Sequence, residues 1–214
     1  MNLNKIMQKT FGWMFVGLLL TFLTGYYVST NENMLYNIFS SNLYFILIIV
    51  EIVLVIFLSA RLHKMSTTTA RITFMLYSFV TGLTFSSIFI AFSMSSIMLV
   101  FLITAILFGI FALIGYFTNI DLSKFSTFLL MALIGIIICT IVNMFLNNGL
   151  FELIITIVSV IIFLGYTAYD IHKVKNLAGQ IDEDKLAIIG ALELYLDFIN
   201  LFIDLLRLFG KSRD

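Results

Sequence analysis

Carboxylates inside apolar runs are the residues of this chain best placed to do chemistry. An isolated charge in such a setting is costly, and it must be paired, protonated or hydrated. Glu51 sits in the middle of the apolar run 43–60. Asp170 follows the run 150–169, and Asp197 comes 27 residues later (197 − 170 = 27), inside the run 186–209. Two carboxylates brought into contact do not easily ionise together and come to share a proton. Deprotonated, such a pair binds a hard divalent cation through its oxygens. Protonated, it holds neighbouring helices together through the shared hydrogen bond. Either route responds to pH. The plainer alternative has Asp170 facing water beside His172 and Lys173. Glu51 is either a lining residue of an ion path or a neutral acid bonded to a backbone carbonyl or a serine on a neighbouring helix.

A second pattern surrounds Asp197. Glu193, Asp197, Asn200, Asp204 and Arg207 recur at spacings of four, three, four and three. At about 100° per residue they fall within an arc of roughly 80°. Leu, Ile, Phe and Tyr fill the rest of the circumference. A narrow polar stripe with nearly complete apolar cover predicts a helix enclosed by other helices, its stripe facing a cavity. A soluble or interfacial amphipathic helix gives a similar wheel. Asn143 and Asn200 supply neutral polar groups for such a lining. Arg61 ends the run 43–60 on the same predicted side as Asp170. It is either a latch that an ionised aspartate holds and a protonated one releases, or a snorkelling arginine that marks the interface. Tyr166, Tyr169 and Tyr195 are expected near the same mouth. Asp182, Glu183 and Asp184 read as a solvated turn and helix start, where carboxylates are favourable.

Enzyme constellations are poorly represented. There is no His-Glu-x-x-His, no Gly-x-Ser-x-Gly and no phosphate-cradling glycine loop. The two histidines, His63 and His172, are expected outside the membrane. The Gly-x-Gly-Asp motif of intramembrane aspartyl proteases is missing. One cysteine, Cys139, leaves no disulfide framework or cysteine zinc cluster within the chain. Twelve Lys plus Arg balance twelve Asp plus Glu, so no global attraction for nucleic acid exists. The expectation is a non-enzymatic protein without a cofactor.

The elements that position these groups follow from composition. The apolar set makes up 61% of the 214 residues and charged residues 11%, against roughly 45–50% and 25% in soluble domains. A compact domain of this size cannot keep that much apolar surface from water, so its solvent is a bilayer. Crossing the hydrocarbon layer takes about 20 helical residues. The runs 11–28, 43–60, 72–91, 97–117, 125–146, 150–169 and 186–209 predict seven crossings. The first is read as a retained helix rather than a signal peptide. The expected fold is an all-α polytopic membrane protein, a single domain over residues 1–214, with the seventh transmembrane helix central.

Orientation follows from the basic residues. Lys5, Lys9, Arg61, Lys64, Arg71, Lys124, Lys173, Lys175 and Lys185 fall in alternate segments, and the loops between them carry no Lys or Arg. The N-terminus is therefore expected in the cytoplasm. Arg207, Lys211 and Arg213 resist this pattern. Either the last helix crosses against the rule, or it re-enters and returns.

Four stretches resemble the Bax inhibitor-1 family, also called the transmembrane Bax inhibitor motif family. They are Gly165-Tyr166-Thr167-Ala168-Tyr169-Asp170 and Gly190-Ala191-Leu192-Glu193-Leu194-Tyr195-Leu196-Asp197-Phe198-Ile199-Asn200-Leu201-Phe202, with Gly82-Leu83-Thr84-Phe85-Ser86-Ser87-Ile88-Phe89 and Met131-Ala132-Leu133-Ile134-Gly135. The resemblance covers essentially the whole chain and is most specific in the last two helices. It implies a pH-sensitive calcium leak across a membrane, with Ca²⁺ as the transported ion, and in animal members restraint of cell death. The family's paired aspartates fall on Asp170 and Asp197, as candidate Ca²⁺ ligands and pH sensor, and its basic residue after the second helix falls on Arg61. Many relatives read Thr-Lys-Lys-Asp-Leu-Ser after the fourth helix, where this chain has Thr118-Asn119-Ile120-Asp121-Leu122-Ser123. That departure weakens surface lipid or partner contacts there, not the pore. A bacterial member in the cell membrane is expected, with the bilayer, calcium ions and protons as its partners. The rival readings are a non-conducting membrane regulator that binds partner proteins and a proton-coupled cation transporter using Glu51 and Asp197 as a relay.

Overall fold

The computed structural model describes residues 2–40 and 42–213, with His63 outside the described side chains. Apolar runs long enough to exclude water from the backbone can satisfy their peptide groups only within a helix, and helices are what form. They are α1 (Leu3–Thr30), α2 (Glu32–Phe39), α3 (Leu43–Arg61), α4 (Thr67–Ala91), α5 (Met94–Phe117), α6 (Ser126–Leu146), α7 (Gly149–Leu177) and α8 (Glu183–Phe209). Short 3-10 turns at Leu62–Lys64 and Leu122–Phe125 precede α4 and α6. Among the described residues all of these except α2 and the 3-10 turns are long and apolar enough to cross a membrane, seven in all, counting Leu122–Leu146 as one crossing. Strand pairing is confined there to two isolated bridges.

Local chemistry places the ends. The side chains of Asn2, Asn31 and Ser66 accept from the backbone N–H groups of Asn4, Met34 and Thr69, each at 3.1 Å, and so cap α1, α2 and α4. Asp182 does the same for α8 through the Lys185 N–H at 3.0 Å. Each cap satisfies a donor that the first helical turn leaves without a partner. Asn147 ends α6 in the left-handed conformation, φ 48°, which asparagine tolerates better than most residues.

The described residues form two compact units. The first takes residues up to Met94, with Ala178–Tyr195 and residues 212–213, and so contains α1–α4 and the first half of α8. Its α1 and α4 meet through small residues. A side chain on Gly82 would collide with Thr24, and one on Gly25 would stand 3.0 Å from the Gly82 carbonyl oxygen. Glycine permits this approach, and dispersion between backbones then holds the helices. The second unit takes Ser95–Leu177 and Leu196–Lys211, containing most of α5, all of α6 and α7, and the second half of α8. Phe198 of α8 packs against Phe101 and Phe108 of α5, ring centres 5.3 and 5.4 Å apart.

Helix α8 is buried around its circumference in both halves. Leu186, Ile188, Ala191, Leu194, Tyr195 and Leu201 are fully shielded, as the enclosed-helix reading of the stripe requires. The question of re-entry is answered within the first unit. Asp184 at the start of α8 meets Arg71 at the start of α4, at 2.9 Å. The Arg213 N–H donates to the Ala91 carbonyl at 3.0 Å, and its guanidinium to the Phe89 carbonyl at 3.1 Å. Residues 184 and 213 therefore meet opposite ends of α4, as a full crossing requires. Arg213 answers the carbonyls left open at the α4 C-terminus, where a cation is favourable, which accounts for one of the basic residues that resisted the charge pattern.

Candidate functional site

Asp170 on α7 and Asp197 on α8 both belong to the second unit, and both are buried, 6% and 4% exposed. Tyr166 stands four residues before Asp170, on the same face of α7. Its phenol lies within electrostatic reach of both carboxylates. The neighbouring Thr167 hydroxyl is turned back onto the Phe163 carbonyl, at 2.9 Å. Asp170 thus does not face open water, and the reason is the length of α7. The helix continues past Tyr169 through His172 and Lys173 to Leu177, so the first charge after the apolar run does not mark its end.

A close approach of α5 supports this part of α7. A Cβ built on Gly115 would lie 2.8 Å from the carbonyl carbon and the Cα of Ala168. The two backbones touch two residues before Asp170. Only glycine allows that separation, so the position of Asp170 depends on the missing side chain at 115.

The rest of the polar stripe divides by partner. Asn200 donates through Nδ2 to the Leu196 carbonyl on its own helix, at 2.8 Å. Buried Asp204 accepts from the Ser159 hydroxyl of α7. Arg207 is exposed, and Glu193 is half-buried in the first unit. Asn143 does not line an interior. Its Oδ1 accepts from the Asn148 N–H at 3.2 Å, and its carbonyl from the Asn147 N–H at 2.7 Å, so it builds the turn between α6 and α7.

Glu51 and Arg61 lie on α3, in the first unit; Arg61 is exposed as its last residue. Glu51 Oε2 is 2.9 Å from Thr84 Oγ1, which is also 2.9 Å from the Thr81 carbonyl oxygen. A hydroxyl carries one proton. Thr84 divides that proton between Glu51 Oε2 and the Thr81 carbonyl, both of which accept from it. The partner is a threonine hydroxyl on α4, close to the bonded-acid alternative for Glu51.

Three groups behave differently from their sequence reading. Tyr195 is fully buried rather than placed at a mouth. Its hydroxyl is 2.6 Å from Thr21 Oγ1, whose proton goes to the Ser78 carbonyl at 2.9 Å. Its ring packs edge-on against Phe74, centres 5.5 Å apart. The acidic triplet is more than a solvated start. Asp184 pairs with Lys9 and Arg71, Glu183 lies 3.8 Å from Lys5 and 3.9 Å from Lys9, and Arg71 stands 5.4 Å over the Trp13 ring. This clasp joins the starts of α1, α4 and α8. The available signal was three bases and three acids confined to one predicted side. His172, expected outside the membrane, is buried in α7 with Nε2 3.9 Å from Asp121. Asp121 itself is held below the ordinary carboxylate range by the Ser123 hydroxyl and then the Ser123 N–H.

Among the described residues no three or more His, Cys, Asp or Glu side chains gather as a resident metal centre would require. Two carboxylates and a phenol can still offer oxygen ligands to a passing hard cation, which keeps most of its own hydration.

Comparison with known proteins agrees along the whole chain. The family model described as inhibitor of apoptosis-promoting Bax1 matches residues 3–214. The inner membrane protein YbhL of Escherichia coli K12 is 45% identical over 219 residues, covering 99% of this chain and 94% of that protein. An uncharacterized protein of Borreliella burgdorferi is 40% identical over 217 residues, covering 99% and 94%. An uncharacterized membrane protein of Streptococcus pyogenes serotype M1 is 37% identical over 168 residues, covering 77% and 72%.

Proposed function

The chain belongs to the Bax inhibitor-1 family, and from that premise we propose that it is a passive, pH-modulated calcium leak of the membrane, not an enzyme, gated at Asp170 and Asp197. The observation that carries the reading is the burial of two aspartates in one unit, with the Tyr166 phenol within electrostatic reach of both. Burying one carboxylate already demands compensation. If the second carboxylate of the same unit lies in contact with it, proton sharing is the economical solution when no cation is present. Ca²⁺ offers the other solution, because two negative charges and oxygen ligands suit it. Protons and calcium then compete for the same oxygens. The N-terminus in this reading is cytoplasmic, following the distribution of Lys and Arg.

The test is Ca²⁺ entry into liposomes carrying the purified protein, scanned from about pH 5 to 8, beside Asp170→Asn and Asp197→Asn. Asparagine keeps the shape and removes the titration. Protein-dependent flux with a pH step that is moved or lost in the variants is the expected result. Folded protein that passes no Ca²⁺ at any pH would sink the proposal in favour of a membrane regulator. Saturating flux with stoichiometric proton exchange would replace it with a transporter.

A further inference from the structure

A cavity of about 700 Å³ lies in the second unit, walled by α5, α6, α7 and the 3-10 turn before α6. Its size falls within the usual range of small-molecule sites, roughly 300–1,000 Å³. Small residues shape it: Ala132, Gly135 and Cys139 recur at spacings of three and four along α6, opposite Gly165 and Ala168 of α7. The lining contains no charged residue. Large lining side chains such as Phe125, Phe128, Ile154 and Ile161 are half to two-thirds exposed. In a helix that crosses a membrane, such exposure is to hydrocarbon, so this is a groove open to lipid rather than a water-filled pore.

Length and charge say what fits. The lining on α7 runs from Phe151 to Tyr169, 18 helical steps (169 − 151 = 18) or about 27 Å, nearly the roughly 30 Å of a hydrocarbon core. At the Tyr169 end the groove meets basic residues. Lys173 lies four residues beyond Tyr169 on the same face of α7, and Lys124 lies between the lining residues Leu122 and Phe125. Lys175 donates to the Tyr116 carbonyl there, at 3.0 Å. Exposed Asp121, buried Asp170 and His172, and Tyr116, Tyr166 and Tyr169 are further titratable groups at that end, with buried Asp197 within electrostatic reach of Tyr166. At the Phe151 end the adjacent charge is Glu152. One end therefore attracts a phosphate, and the other does not.

We propose that this groove holds one acyl chain of an anionic glycerophospholipid from the surrounding bilayer, its phosphate between Lys124 and Lys173. The acyl chain leaves one apolar medium for another, so hydrophobic transfer contributes little. Selectivity comes from the lysines and from the fit to the small residues. Near a membrane surface one such lysine favours an anionic headgroup about fivefold.

The experiment places the full chain in phosphatidylcholine bilayers containing a trace of phosphatidylglycerol or phosphatidylcholine with a diazirine on one acyl chain. After irradiation, labelled peptides are mapped by mass spectrometry. Labelling is expected to concentrate on residues 132–139 and 154–168 over the lipid-exposed face of α3, with phosphatidylglycerol favoured about 25-fold, about fivefold for each lysine. Lys124→Ala with Lys173→Ala should equalise the two lipids. Gly135→Leu should lower labelling of the groove, since a Cβ at that position meets nothing within 4 Å and the new side chain fills the space. Even labelling of α3 and the groove by both lipids in the wild type would overturn the proposal, with no dependence on how any variant folds. So would cross-links between two copies through the groove, which would make it an interface.

Discussion

Replacing Gly115 by Ala adds one methyl group where α5 meets the backbone of α7. The new Cβ would lie 2.8 Å from the Ala168 carbonyl carbon and Cα. Carbon atoms rest comfortably at about 3.5–4.0 Å, so the shortfall is about 0.7–1.2 Å. A backbone cannot swing aside as a side-chain tip does, and the helices must separate. Overpacking of this kind costs about 1–3 kcal/mol. Alanine also favours the helix over glycine by about 1 kcal/mol, which obscures the clash if the variant is read alone. Gly109→Ala on the same helix isolates it, because a Cβ there meets nothing within 4 Å. Both variants gain the helical preference, so the difference between them is the clash. At about 2–4 °C per kcal/mol for a chain of this size, Gly115→Ala should unfold about 2–12 °C below Gly109→Ala. The assay is thermal unfolding of the purified proteins in one detergent. Equal unfolding temperatures would refute the backbone contact. If Asp170 gates the leak, the same displacement should also move the pH step of Ca²⁺ flux in Gly115→Ala and leave Gly109→Ala unchanged.

Tyr195→Phe removes one buried hydrogen bond while Thr21 keeps its own to Ser78, so a loss of about 0.5–1.5 kcal/mol is expected. Tyr195→Ala also empties the space against Phe74 and Tyr77 and should cost about 3–5 kcal/mol; unfolding in detergent ranks the two, and equal losses would refute the packing role. Asp184→Asn should cost only about 0.2–1 kcal/mol, because the Lys9, Arg71 and Asp184 side chains are 32%, 34% and 42% exposed. Its deficit should shrink in high salt, and a deficit indifferent to salt would count against ion pairing. Asp121 has its folded pKa depressed, so its contribution is present above the unfolded pKa and lost as pH falls through the folded one. Ser123→Ala removes the hydroxyl bond, the first cause, and the titration midpoint of the Asp121 carboxyl, read by carbon NMR, should rise; an unmoved midpoint would assign the shift elsewhere.

The crossings could be read from the apolar runs because a bilayer leaves helices little choice of solvent. Their ends could not. Helix α1 starts at Leu3 rather than near residue 11 because Lys5 and Lys9 sit on it and meet Glu183 and Asp184 from the far end of the chain. No local window contains that pairing. Helix α2 escaped notice for another reason. Its eight residues mix polar and apolar side chains, and the Asn31 cap is its clearest local signal. The enclosed position of α8 was readable from a stripe confined to one narrow arc. What each polar residue does was not. Tyr195 is type-for-type an interfacial residue, and its burial follows from Thr21, 174 positions away. Asn143 and Asn200 carry the same amide as any lining residue, yet both bond to neighbours within five positions of themselves.

That sorting narrows where pH can act. A buried acid bonded to a hydroxyl, such as Asp204 with Ser159 or Glu51 with Thr84, has a neutral partner whose charge does not change in the physiological range. Asp170 and Asp197 instead both act on Tyr166, and if they share a proton, as the proposed gate has it, the charge on one alters the cost of the charge on the other. A pair of this kind would couple proton number to the packing of α7 and α8, because a pair that shares a proton attracts and a pair that has lost it repels. The Gly115 contact sets the backbone two residues from Asp170 against α5, so a repelled α7 pushes against a wall, while α8 carries the other aspartate. A cation entering between the carboxylates relieves the same repulsion that deprotonation creates. In the proposed leak, competition between protons and calcium at this site would need no separate sensor, and Asp204→Asn should leave the pH step of flux where Asp170→Asn removes it.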